Sequence, residues 1–150
     1  MRIFLTIFVS LIAIVAIFMF SKNSTAPKHL GVNDGHLSEL PSSPNAVSTQ
    51  TSIDEKRVDP FPFKDGDLKT SYSLIEKILN SEEQAEIVEK TDNYIHAVFT
   101  SPTMRYKDDV EFYFDTNNQR VDYRSASRIG YSDMGANQQR YERIRESYLQ

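Results

Sequence analysis

The pattern of hydrophobic and polar positions changes character several times along this chain of 150 residues. Residues 3–20, IFLTIFVSLIAIVAIFMF, carry no charge and are interrupted only by Thr6 and Ser10. At a rise of about 1.5 Å per residue such a run spans roughly 27 Å, close to the hydrocarbon thickness of a bilayer. It predicts a transmembrane signal anchor over residues 1–20. The competing reading is a cleaved signal peptide, whose apolar core is shorter and ends at a small-x-small site. The text that follows, FMFSKNSTAPKHL, offers no clean A-x-A. Arg2 precedes the run while Lys22 and Lys28 follow it, so flanking charge gives no strong vote on orientation. The very short leader favours translocation of the bulk of the chain. In a bacterium that means a single pass through the inner membrane and a periplasmic domain, or release into the periplasm if the segment is cut.

Residues 21–58 are rich in Ser, Thr, Asn, Pro and Gly without apolar periodicity, and read as a flexible tether. Within it, LPSSPNAVSTQ (40–50) is stiffened by Pro41 and Pro44 and is a piece that can dock. DPFPF (59–63) brings aromatics that a linker does not need and is expected on the domain edge. The globular domain then runs over 59–150.

Leu68, Tyr72, Ile75, Ile78 and Leu79 recur at helical spacing over 67–79, with Asp67 as N-cap. Strand-like text follows at 85–91, 93–101, 109–115 and 120–128. A last helix is expected over 134–149, with Met134, Tyr141, Ile144 and Tyr148 on one face. Helix, four consecutive strands and helix predict an α+β fold: a four-stranded antiparallel meander with both helices on one face, a two-layer sandwich.

One register follows from side-chain matching. Asn117-Asn118 suit a two-residue type I′ turn. Phe114 then faces Val121, Phe112 faces Tyr123 and Val110 faces Ser125 on the core side, while Asp115 faces Arg120 and Glu111 faces Arg124 on the other. A slip of one residue would destroy both sets of matches.

Composition narrows the chemistry. A net charge of −4 and a pI near 5.4 argue against nucleic acid as a partner. The absence of cysteine excludes disulfides, thiolate catalysis and cysteine-ligated metals. His29, His36 and His96 are too scattered for a metal motif, so no metal or cofactor is expected. His96 reads as an ordinary strand residue, and no G-x-S-x-G elbow is present.

Arginine is the only base after Lys107, and six arginines meet three acids between Gln119 and Arg145. The planar guanidinium suits carboxylate or phosphate, and a helix start offers free N–H groups. One reading therefore makes Arg124, Arg128, Ser132, Asp133, Asn137 and Arg140 an anion site at the start of the last helix. The other is structural. Glu111 and Asp109 pair with the arginines, as Asp115 does with Arg120; Asp133 caps the helix, Gly130 makes a turn, and Asn137 ties helix to strand. The carboxylates Asp108, Asp109 and Glu111 divide likewise between cation or acid–base work and ion pairing. Catalytic residues are not identified on either reading.

The same residues carry a resemblance. YKDDVEFYF (106–114) followed by RSASRIGYSDMGANQQR (124–140) is similar to the C-terminal signature DDVEF…RSASRxGxSDxGxNxxR of the bacterial and plastid family DUF1499. Every fixed position is present, as Asp108, Asp109, Val110, Glu111, Phe112, Arg124, Ser125, Ala126, Ser127, Arg128, Gly130, Ser132, Asp133, Gly135, Asn137 and Arg140. PSSPNAVST resembles the family's CPxSPNCVS element, so the resemblance covers roughly residues 40–149. The family's two cysteines fall where this chain has Leu40 and Ala46, so a redox or metal role of that element is not carried over. The resemblance implies a membrane-anchored or exported protein and assigns no activity. The expected function is a membrane-tethered, periplasm-facing module that binds an anionic small molecule or envelope component, or serves as an accessory module. The alternatives are a hydrolase or transferase acting on envelope material, and a purely structural assembly partner.

Overall fold

The computed structural model describes residues 2–150. Helix α1 (Arg2–Ser24) is followed by β1 (Val32–Asn33), β2 (His36–Leu37), β3 (Ala46–Ser48) and β4 (Phe61–Pro62). Then come α2 (Leu68–Ser81), β5 (Ala85–Thr91), β6 (Tyr94–Thr100), β7 (Lys107–Asp115), β8 (Arg120–Ser127) and α3 (Ala136–Leu149). The apolar window of α1 is long enough to cross a membrane, and none of it is buried in the protein.

The architecture is α+β, but the main sheet has six strands rather than four. The meander β5–β6–β7–β8 lies in the expected order. Its β8 edge carries two further short strands end to end: β3 opposite 124–126 and β4 opposite 120–121. These strands are two or three residues long, and Pro62 on the outer edge has no N–H to donate. Neither has enough alternation to read as a strand, although short, proline-bearing segments suit a sheet edge.

The β7–β8 register pairs Phe114 with Val121, Phe112 with Tyr123, Glu111 with Arg124 and Asp115 with Arg120. The connection differs from the expected type I′ turn. Pairing stops at Asp115 and Arg120, and the residue with positive φ is Gln119, at 51°. Asp115 organises the loop instead, accepting from the backbone N–H of Asn117 and Asn118 at 3.0 and 3.1 Å and from Asn118 Nδ2 at 2.6 Å.

Helices α2 and α3 cover one sheet face. Asp67 caps α2 through the N–H of Thr70 at 2.7 Å, and Ile75, Ile78 and Leu79 turn inward. From α3 come Tyr141, Ile144 and Tyr148. Phe61 of β4 sits at the centre of an aromatic cluster, with the rings of Phe112, Tyr123, Tyr141 and Tyr148 all within 6.4 Å. The DPFPF piece thus docks at the edge and also plants two rings, Phe61 and Phe63, in the core. Burying a phenyl group of this kind contributes about 1.5–3 kcal/mol. Helix α3 starts at Ala136 instead of residue 134: Met134 has φ 55°, Gly135 has φ 83°, and Met134 is 93% exposed, off the core stripe on which it was expected.

The other sheet face is covered too, which makes three layers where two were expected. Much of the stretch 21–58 read as a tether lies along it, while β3 within that stretch is an edge strand and Val47 and Val58 pack into the helix-side core. Gly31 N–H donates to Glu111 Oε1 at 2.8 Å, Ser38 O accepts from Arg124 Nε at 2.9 Å, and Gln50 Nε2 and Thr49 Oγ1 donate to Asp122 at 3.0 and 2.8 Å. Lys56 is buried and donates to the carbonyls of Pro41 and Ser43 at 2.6 and 2.7 Å. Beside these polar bonds the only apolar residues the segment buries are Leu37, Ala46, Val47 and Val58, too widely spaced for hydrophobic periodicity to mark its attachment.

Candidate functional site: a charged sheet face beside the apolar helix

Strand alternation sends Asp109 and Glu111 of β7, Asp122 and Arg124 of β8 with Arg128 just beyond its end, and Tyr94 and His96 of β6 to the face under this cover. The result is a band of charge inside the molecule. Arg124 Nη1 meets Glu111 Oε2 at 2.8 Å, and both residues are essentially without solvent exposure. Arg128 holds Asp109 through Nε at 2.8 Å and Nη2 at 2.7 Å, the bidentate geometry that favours arginine over lysine. His96 Nε2 lies 2.9 Å from Asp109 Oδ1, and Tyr94 OH donates to Glu111 Oε1 at 2.8 Å. Arg120 Nε meets Asp122 at 3.2 Å and Asp115 more loosely at 3.8 Å.

The titration of these groups follows from their surroundings. Burial alone would raise the Asp109 pKa, but hydrogen bonds from His96 and Arg128, with the Arg128 charge, outweigh it and hold the carboxyl below its usual range. Burial and the neighbouring Glu111 push the Tyr94 phenol well above its ordinary value.

The residues expected at the start of α3 divide between the two faces. Arg140 is on the helix side, where Nη2 meets Asp108 at 2.6 Å and Nη1 meets Asn137 Oδ1 at 2.7 Å and Ser125 Oγ at 3.0 Å. Its guanidinium also stacks 4.5 Å from the Phe99 ring centroid. Arg128 is on the opposite face, so the two arginines do not converge on one pocket. Asn137, 1% exposed, accepts from Ser125 Oγ and donates to Asn45 O at 3.0 Å, Ser127 Oγ at 3.1 Å and Asp133 Oδ2 at 2.7 Å. Asp133 fills the helix start with its own carboxylate, accepting from the N–H groups of Gly135 and Asn137 at 3.1 and 2.8 Å. Ser132 is exposed, and its hydroxyl accepts from Met134 N–H at 3.2 Å. Three acids of β7 thus each take one arginine: Asp108 with Arg140, Asp109 with Arg128 and Glu111 with Arg124.

This arrangement also bears on catalysis. His96 faces Asp109 on the charged side, while Ser125 and Ser127 turn to Asn137 on the other, so the sheet itself separates histidine from those hydroxyls. Sequence reasoning missed Asn45, whose side chain donates to Gly130 O at 2.7 Å and whose carbonyl accepts from Asn137 and from Ser127 N–H. The signal was available in its place within PSSPNAVS. Tyr94 and Lys56 were also missed, since a lone tyrosine or lysine carries no pattern.

Matching the chain to family models identifies the protein of unknown function family DUF1499 over residues 36–147. The chain belongs to the DUF1499 family. Searches of the curated proteins and of the solved structures found no match. The matched range begins at His36, inside the segment that covers the charged face, so the DUF1499 match includes the cover from His36 onward as well as the meander.

A cleft of about 550 Å³ remains between the cover and the sheet, lined by Pro27, His29, residues 38–41, Asp109, Arg124 and residues 126–128. Two of the six expected anion ligands, Arg124 and Arg128, line it. Each is already countered by a carboxylate, and Glu39 forms part of the opposite wall.

Proposed function

We propose that this DUF1499 protein is a single-pass membrane protein whose family domain acts at the bilayer surface as an accessory binding module of the cell envelope. The observation that carries this reading is the junction at Asn23. In the last turn of the apolar helix, Asn23 Nδ2 donates to Arg105 O at 2.7 Å, and its Oδ1 accepts from Lys107 N–H at 2.9 Å. Its carbonyl accepts from Arg128 Nη1 at 3.2 Å, a cation at the negative end of the helix dipole. The domain is therefore joined directly to the helix, and the cleft, with Pro27 and Arg128 on its rim, opens beside it.

The charge balance of the cleft favours a polar envelope component over a free anion. An anion at Arg128 would have to displace the bidentate Asp109 carboxylate. Opposed charges on both walls suit a ligand that carries both donors and acceptors.

The test uses the full chain with a C-terminal tag, expressed in a bacterium. The expected result is retention in the carbonate-washed membrane pellet, with the tag degraded by protease added to spheroplasts. Recovery in the soluble fraction, or a tag protected in spheroplasts and cut only after lysis, overturns the reading.

A further inference from the structure

We propose that two loops of the domain, 101–106 and 129–134, rest on the bilayer beside α1 and form a second membrane contact. This inference depends on α1 spanning the membrane, as proposed above. Both loops lie at the end of the sheet where β7 begins and β8 ends, and Arg128 N–H donates to Lys107 O across that end at 2.9 Å. Asn23 of α1 bonds to this same end of the sheet. The loops present Met104 at 62%, Tyr106 at 42%, Tyr131 at 77% and Met134 at 93% exposure. Apart from α1 itself, these are four of only six large hydrophobic side chains exposed among the described residues, so the bias to one end is strong.

Depth is fixed by α1. Ile129 and Gly130 share a shallow hollow with Phe18, Met19 and Lys22. Phe18 lies six residues before the end of the helix, roughly 9 Å down its axis, and inside the uncharged run. The start of the 129–134 loop is therefore level with the last apolar turn, where headgroups meet acyl chains. Tyrosine and methionine suit that zone: the tyrosine ring is apolar with a wet hydroxyl, and the methionine side chain is flexible. Exposed Lys22, Lys28 and Arg105 flank the same end and match lipid phosphates. The occupant is thus the bilayer that holds α1, gripped at one helix and two loops, which fixes the domain's orientation over the membrane.

The chain has no tryptophan, so a single introduced one is an unambiguous reporter. The full-length variants Y131W, M104W, F18W and N117W are placed in vesicles of phosphatidylethanolamine and phosphatidylglycerol with brominated acyl chains. Asn117 is in the β7–β8 turn, the length of a nine-residue strand away. The expected result is strong quenching of F18W, clear quenching of Y131W and M104W, and N117W emission equal to that in unbrominated lipid. If F18W is quenched while Y131W and M104W behave like N117W, the loop contact is refuted and the spanning helix stands. If F18W is itself unquenched, the spanning reading fails and the inference falls with it.

Discussion

Arg128 binds Asp109 with two parallel hydrogen bonds, of 2.8 and 2.7 Å, while a third donor of the same guanidinium reaches Asn23 O at 3.2 Å. One side chain therefore closes the charged sheet face and also ties α1 to it. Replacing it by alanine leaves the Asp109 carboxylate buried without its main cationic partner. A loss of about 3–5 kcal/mol is expected for breaking a buried pair of this kind. R128K keeps the charge but not the fork, and should recover only part of the loss. Urea denaturation of the three proteins in detergent checks the order, and equal midpoints for wild type and R128A would refute it. In the same variant, limited proteolysis should open the junction at residues 24–28, because Arg128 no longer holds the helix end.

Asn137 is the corresponding knot on the helix face. Substitution by alanine removes the acceptor shared by Ser125 and Arg140 and the donor shared by Asn45, Ser127 and Asp133. Each buried polar group left unmatched costs about 1–3 kcal/mol, so N137A should lose about 3 kcal/mol or more. N137D keeps the size, but puts a second carboxylate where Nδ2 now meets Asp133 Oδ2, and should be no better. Thermal unfolding checks this: N137A within a degree or two of wild type would show that the knot is redundant.

These two residues show what the sequence made legible. The β7–β8 register was readable because apolar–apolar and acid–base matches agree in only one alignment, and Asn137 was expected to tie the last helix to the strand, as it does. Of the stretch 21–58 read as a tether, only 40–50 was marked as a piece that can dock, and the rest was not readable as part of the domain. The attachment of the stretch runs through Gly31, Ser38, Thr49 and Gln50, whose polar bonds leave no periodic trace in the chain. That misreading also hid the meaning of the charged face. An Asp/Glu/Arg alternation reads as solvent-exposed until something is known to cover it. The expected anion residues do not converge for a related reason: Arg128 and Arg140 are twelve residues apart in one polar run, yet a strand ending and a helix returning place them on opposite faces.

Acid pH should act through carboxylates that the fold has stabilised in charged form. Burial works to raise the Asp115 pKa, but the Asn118 side chain, the N–H groups of Asn118 and Asn117 and the Arg120 charge together hold it below the ordinary value of 3.8. A lowered folded-state pKa means stabilisation that is complete above the unfolded value and disappears as pH falls through the folded one. D115N should therefore be less stable than wild type by roughly 1–3 kcal/mol at neutral pH. The gap should close below about pH 4. Denaturation midpoints of the pair across that range test it, and a constant gap would show that the Asp115 charge has no part in holding the turn.

Tyr123 gives the opposite sign at the alkaline end. Its ring packs among Phe61, Phe112 and Tyr141, while its hydroxyl is buried with no hydrogen-bond partner among the described residues. Burial pushes the phenol from 10.0 up to about 12. A raised folded-state pKa means that this contribution is intact below pH 10 and is lost as pH climbs toward 12, because ionisation is easier in the unfolded chain. Y123F removes the unmatched hydroxyl and keeps the ring contacts. It should equal wild type or exceed it by about 1 kcal/mol at neutral pH. Its advantage should then widen between pH 10 and 12, the interval between the ordinary and the raised value. Urea unfolding of both proteins at neutral pH and across that interval supplies the comparison. A Y123F variant clearly less stable at neutral pH would mean that the hydroxyl is bound after all, and the neighbouring Arg140 Nε, likewise buried and unmatched, would be the first group to inspect.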